Sequence, residues 1–132
     1  MKPRQKRIAL IVGGVAGDWV KGTLPGTLPP DLARGVALHR AIDAYAENNA
    51  AFCRSRTRVS QPRKRYAGIL VDIFYDHLLA LDWENVHHRL LQDYSATVYR
   101  MIAARLDELP PGAHHALSLM AREDWLSSYA TI

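Results

Sequence analysis

Cysteine is almost absent: Cys53 is the only one in 132 residues. That excludes an internal disulfide framework and any zinc site built on several thiolates. Long apolar runs are missing too. The run from Ile8 falls far short of the ~20 residues a membrane-spanning helix needs, so no membrane span is expected. No G-x-S-x-G is present to make a serine-hydrolase elbow. No G-x-x-x-x-G-K-[ST] is present either, because Lys21 is followed by Gly22, and a G-x-G-x-x-G set on Gly14 and Gly17 would need glycine where Val12 stands. Nucleotide-loop chemistry is therefore not expected. No segment alternates as a half-buried strand.

What is present is enough apolar residue for a core. At 48% hydrophobic and 23% charged, the chain is too apolar to be disordered and too charged for a membrane bundle. A chain of this length buries about two-thirds of its unfolded surface, which fits one domain over residues 1–132. The net charge of +4 is unevenly placed. Lys2, Arg4, Lys6 and Arg7 supply four positive charges before any acid. Arg54, Arg56, Arg58, Arg63, Lys64 and Arg65 form a second cluster, with no acid between Asn48 and Val71. Outside both clusters 7 bases face 13 acids, so an acidic body carries two basic patches. Such a patch is either a solvated face or a site for an anionic partner. RSRTRVSQPRKRY has one aromatic and no helix-turn-helix around it, so nucleic acid is not the expected partner.

Residues 1–17, MKPRQKRIALIVGGVAG, have the outline of a short secretory signal and also imitate a buried strand entering a glycine-rich loop. From Pro30 onward the spacing predicts helices. One runs from Pro30 or Asp31 to Asn48, carrying Leu32, Val36, His39, Asp43 and Ala46. A second is expected over 61–82, capped by Ser60, with Ile69, Leu70, Ile73, Phe74 and His77 on one arc. A third is expected over 84–109, with Val86, Leu90, Tyr94, Val98 and Ile102 recurring until Pro110-Pro111-Gly112. Short helices fit 113–130, and the expected fold class is all-α.

The informative polar residues lie on these helices. His39 and Asp43 are four apart, so they project from one side, as do Asp72 and Asp76 on the next long helix. Carboxylates beside an apolar stripe need a compensating cation, either Arg or Lys or a metal. Imidazole with carboxylates suits Mn, Fe, Zn or Mg. Arg40 either aims its planar fork at a phosphate or pairs with an acid such as Asp43. Asp18, after Gly17, serves equally as a cap or a ligand. The adjacent pairs His87-His88 and His114-His115 diverge by ~100° and read as surface features. Trp83, Tyr94, Tyr99 and Trp125 read as core or rim aromatics, and Cys53 has no partner that marks it as a nucleophile.

Three segments resemble the acyl carrier protein phosphodiesterases. GGVAGDWVKG at 13–22 is similar to the family's G-N-x-x-x-D-[FL]-[VI]-[KR]-G, with Gly14 in place of Asn. GVALHRAID at 35–43 and LVDIFYDHLLALDW at 70–83 follow in the family's order, and EDWLSSY is a weaker match. The resemblance puts the supposed signal cleavage point inside a matched motif. It implies a helical fold distantly like the HD-domain metal-dependent phosphohydrolases, in a cytoplasmic enzyme. The implied activity is hydrolysis of the phosphodiester joining 4′-phosphopantetheine to holo-acyl carrier protein, with a divalent metal, Mn²⁺ or Mg²⁺. By matched position, Asp18, His39, Asp43, Asp72, Asp76 and His77 are the implied metal-site residues. Asp76, His77 and Arg40 are the implied catalytic set, with Arg40 on phosphate. The family's N-terminal M-N-[YF]-L-A-H-L is replaced by MKPRQKRIALIV, and later family helices have no counterpart, so a chain shortened at both ends is expected. An inactive carrier-binding relative and another HD-like phosphohydrolase acting on a small phosphoester are the alternatives. Because acyl carrier proteins are acidic, the resemblance makes the Arg54–Arg65 cluster the expected docking face.

Overall fold

The structure, a computed structural model, describes residues 2–131. The side chains of Arg65, Tyr66, Ile69 and Thr131 lie outside the described residues, and with them the expected roles of Arg65 in docking and of Ile69 on an apolar arc. Eight α-helices are present among the described residues: α1 Pro3–Ala16, α2 Pro30–Asn48, α3 Ala50–Thr57, α4 Ala67–Leu81, α5 Trp83–Val86, α6 Leu91–Arg105, α7 Pro111–Arg122 and α8 Trp125–Ser128. Short 3₁₀ turns occupy Gly17–Trp19, Gln61–Tyr66, Leu106–Glu108 and Tyr129–Thr131. No strand occurs among the described residues, so the fold is all-α.

Proline starts α1, α2 and α7, where its fixed φ suits the first turn and its missing N–H costs nothing. Asn49 both ends α2 and begins α3. Its extended backbone breaks the first helix, and its side chain accepts from the Ala51 and Phe52 amides of the second. The core joins Ala9, Val12 and Ala16 of α1 to Leu32, Ala33 and Val36 of α2, and these to Val98 and Ile102 of α6 and Ala113, Leu117 and Met120 of α7. Glycine sets the α1–α2 distance. A Cβ on Gly35 would stand 2.7 Å from the Gly13 Cα, so these backbones touch where no side chain fits. Arg105 fastens the end of α6 to the start of α2, 2.5 Å from Asp31, and pairs with Glu108 at 2.6 Å.

Several expectations are corrected. Residues 8–12 are not a strand but the middle of α1, whose Ala9, Val12, Gly13 and Ala16 are buried. The 61–82 helix begins instead as a 3₁₀ turn with Pro62 in its first positions, and the Ser60 side chain makes no cap bond. The expected 84–109 helix is broken between α5 and α6, where the Trp83 indole donates to the Arg89 carbonyl at 2.8 Å. His87 is half-buried, stacked on Trp83 and tilted against Tyr94, rather than a bare surface residue. His114 is likewise half-buried and tied to the Leu109 carbonyl.

Helix α4 differs from the others. It is apolar around most of its circumference, yet Leu70, Ile73, Phe74, Leu78 and Leu81 remain exposed. Phe52 and Tyr75 meet edge-on, and the Tyr75 and Ser55 hydroxyls share a bond of 2.5 Å. His77 joins α4 to the 3₁₀ turn at 129–131 through the Tyr129 carbonyl.

Candidate active site

The site forms where the α1–α2 contact brings a turn against a helix. Gly17 begins the 3₁₀ turn after α1, and a Cβ there would lie 2.5 Å from the His39 Cγ. The missing side chain is thus the seat of the imidazole. His39 Nδ1 lies 2.8 Å from the Gly14 carbonyl. A carbonyl only accepts, so Nδ1 carries the proton and Nε2 is turned outward. It faces Asp18 Oδ1 at 3.1 Å and Asp43 Oδ2 at 3.4 Å. The i,i+4 spacing on α2 placed His39 beside Asp43, and the chain fold added Asp18 from 21 residues earlier.

Helix α4 supplies the facing wall. Asp18, His39, Asp43, Asp72 and Asp76 line one cavity of about 580 Å³, together with Glu47, Arg56 and Tyr129. Burial pushes the Asp72 carboxyl above its ordinary value, and Asp43, Asp18 and Glu47 push it further. Asp76 is raised by burial and then by Asp72. The Tyr129 phenol is raised by burial and by Asp76 and Asp18, so it stays protonated and able to donate. Among the described residues, neither Asp72 nor Asp76 has a salt bridge to a base. Arg56 reaches the cavity, but its guanidinium lies over the Phe52 ring and 3.6 Å from Cys53 Sγ.

A second cavity of about 500 Å³ adjoins the first and shares Asp18, His39, Asp76 and Tyr129 with it. Its other walls include Trp19, Trp83, Tyr94, Met120 and Trp125. Of the aromatics read from sequence as core or rim, Trp83, Tyr94 and Trp125 line this cleft beside the acids, while Tyr99 packs against the core. Tyr129 was missed as a site residue; its place in EDWLSSY was the available signal.

Other expected site residues go elsewhere. Arg40 donates to the Val20 carbonyl at 3.2 Å and does not line either cavity. His77 likewise lines neither, and its Nδ1 is 2.7 Å from the Tyr129 carbonyl. In the basic cluster, Lys64 donates to the Arg56 and Thr57 carbonyls and so closes the C-terminal end of α3. Arg54 and Arg58 are exposed, and Arg63 reaches Ser60 at 3.4 Å.

The donor chemistry suits a hard divalent cation, being mainly carboxylate with one imidazole. The spacing is wider than a chelate. Among the described residues, no three His, Cys, Asp or Glu side chains are grouped closely enough to hold a metal ion.

A family model described as "Acyl carrier protein phosphodiesterase" matches residues 4–132. The chain belongs to that family. Relatives named acyl carrier protein phosphodiesterase include one from Yersinia pestis, 27% identical over 123 residues, which covers 92% of this chain and 64% of the relative. The protein of that name from Serratia proteamaculans has the same identity and coverage. One from Salmonella dublin is 28% identical over 118 residues, covering 89% of this chain and 61% of the relative. The chain therefore spans just under two-thirds of the length of these relatives. No solved structure matches it. Among the described residues, no helix is long and apolar enough to cross a membrane.

Proposed function

We propose that the acid-lined cavity hydrolyses the phosphodiester between 4′-phosphopantetheine and a serine of holo-acyl carrier protein, releasing the apo-protein, in a cytoplasmic enzyme. Family membership and the relatives' names support the reaction class. The observation that carries the reading is the convergence of Asp18, Asp43, Asp72 and Asp76 with His39 around one cavity, without a salt bridge from a basic side chain to the α4 pair among the described residues. Like charges held together at a cost are characteristic of functional sites.

In this reading Asp18, His39, Asp43, Asp72 and Asp76 would hold Mn²⁺ or Mg²⁺. Such a cation supplies Lewis-acid polarisation of a phosphoryl oxygen and a more acidic water. The chain's own groups do the rest. The Gly14 carbonyl fixes the His39 tautomer and aims Nε2 into the cavity. The Tyr129 hydroxyl, held protonated, is a donor for a phosphate oxygen or for the departing serine. The adjoining aromatic cleft has room for the pantetheine arm. Arg54 and Arg63 dock the acidic carrier protein, with association weakening as salt rises.

The test is to incubate the protein with holo-carrier protein and Mn²⁺ and weigh the products. Loss of the phosphopantetheine mass, abolished in Asp76→Ala, is expected. A carrier protein bound but unchanged in mass refutes the hydrolase and supports a second reading, a carrier-binding relative without catalysis. The wide spacing of the donors is the observation that favours that reading.

A further inference from the structure

Helix α4 presents its acids to the cavity on one side and an unpartnered apolar stripe on the other. Leu70, Phe74, Leu78 and Leu81 follow one another at helical spacing, and they are 38%, 57%, 45% and 61% exposed. Together they leave about 400 Å² of apolar surface open, within the ~300–600 Å² of the largest patch on a typical monomer. Leu70 and Phe74 also wall a groove of about 380 Å³ closed on its other side by Ser55, Arg58 and Val59. A helix as apolar as this one is ordinarily covered.

We propose that a second copy of this chain covers it, through an antiparallel α4–α4 contact about a two-fold axis near Phe74 and Leu78. Area is the first argument. The stripe alone supplies about half of the ~800 Å² that each partner gives to an interface of ordinary size, and the groove walled by Ser55, Arg58 and Val59 adjoins it. Charge is the second, and it sets the direction. The start of the stripe is flanked by Arg58, which lines the groove with Leu70 and Phe74, while just beyond Leu81 stand Asp82 and Glu84. Antiparallel pairing lays the Arg58 end of one copy along the Asp82 end of the other, twice. Parallel pairing would set like charges together. Shape is the third. The same groove and the same protruding Phe74 exist on both copies, which is what a closed two-fold contact needs. Asp72 and Asp76 lie on the far side of α4, so the contact leaves the acid cavity open.

Sedimentation equilibrium from ~1 to ~100 µM tests this, because a dimer shifts with concentration by mass action. A species of twice the 14.8 kDa chain mass is expected. The double variant Phe74→Glu, Leu78→Glu should sediment as a monomer with the same helical circular dichroism. A gentler pair guards against misfolding: Arg58→Glu alone should weaken association about tenfold, and adding Asp82→Arg in the same chain should restore it. A wild-type monomer at the highest concentration overturns the proposal. So do open-ended assemblies, or a dimer that Arg58→Glu leaves unchanged. The readout is mass alone, so it does not depend on whether the cavity cleaves carrier protein.

Discussion

Two neighbouring glycines of the matched motif should respond in opposite directions to the same added methyl. Gly17 has ordinary right-handed helical angles, φ −54° and ψ −35°, so alanine is not strained there by its backbone. Its new Cβ would meet His39 at 2.5 Å from Cγ, 2.7 Å from Cδ2 and 2.9 Å from Cβ. These atoms are the root of the side chain, so a distal rotation cannot relieve the clash. Such overpacking costs ~1–3 kcal/mol, against which the helical preference of alanine returns ~0.5–1 kcal/mol. The net cost of up to about 2.5 kcal/mol should make Gly17→Ala lower Tm by up to about 10 °C for a chain of this size. Gly14 also lies within α1, but a Cβ there meets nothing within 4 Å. Gly14→Ala should gain the ~0.5–1 kcal/mol alone and raise Tm by a few degrees. Paired thermal melts measure both changes, and histidine NMR reads the imidazole. In Gly17→Ala the His39 resonances should move, because the ring leaves the Gly14 carbonyl and the two carboxylates. A Gly17→Ala protein as stable as wild type, with His39 unmoved, would refute the account of how the site is seated.

Other outcomes follow from single contacts. Hydrogen bonding from Arg105 holds the Asp31 carboxyl below its ordinary value, so that pair stabilises the fold above the unfolded carboxylate pKa of ~3.9 and loses its effect as pH falls through the lower folded value. Asp31→Asn should cost about 1–2 kcal/mol at pH 7 in urea melts, with the gap to wild type closing in acid. Tyr99 donates to Asp124 at 2.6 Å and accepts from the Leu126 amide at 2.9 Å, so Tyr99→Phe should cost about 1–3 kcal/mol in the same assay. If the acid cavity binds Mn²⁺, saturation at ~100 times Kd should stabilise the protein by about 2.7 kcal/mol, reversed by chelator and lost in Asp72→Asn. An unchanged melting curve would count against the cation.

Helix α2 was legible because its start, period and end are all local: Pro30, the Leu32–Val36–His39 spacing and Asn49. Helix α1 was not. Its basic start and glycine-rich end weaken the helical signal, and only the packing of Gly13 against Gly35 explains why glycine serves a helix there. The corner between α5 and α6 has neither glycine nor proline to announce it; contacts of Trp83 with Arg89 and His87 hold it. The site divides the same way. His39 with Asp43, and Asp72 with Asp76, could be paired by helical spacing. Which pairs meet, and that Tyr129 joins them, depends on contacts that join distant segments. Spacing also could not show that the Arg40 guanidinium turns to the Val20 carbonyl.

Helix α4 ties the acid cavity to the apolar stripe. Only Ala67 and Val71 are buried among its described apolar residues, so its packing supplies little to oppose the repulsion among Asp72, Asp76 and the acids of α2. An element with few buried contacts opens locally at low cost. Covering the stripe with a second copy adds the missing burial and holds the carboxylates near one another. Screening those carboxylates with a divalent cation removes the force that pushes α4 away. Each event therefore favours the other, and linkage requires the coupling to be equal in both directions. If both occur, Mn²⁺ should tighten self-association by the same factor by which dimerisation tightens Mn²⁺. Sedimentation with and without the cation would show it, and equal dimer constants would separate the two faces of α4.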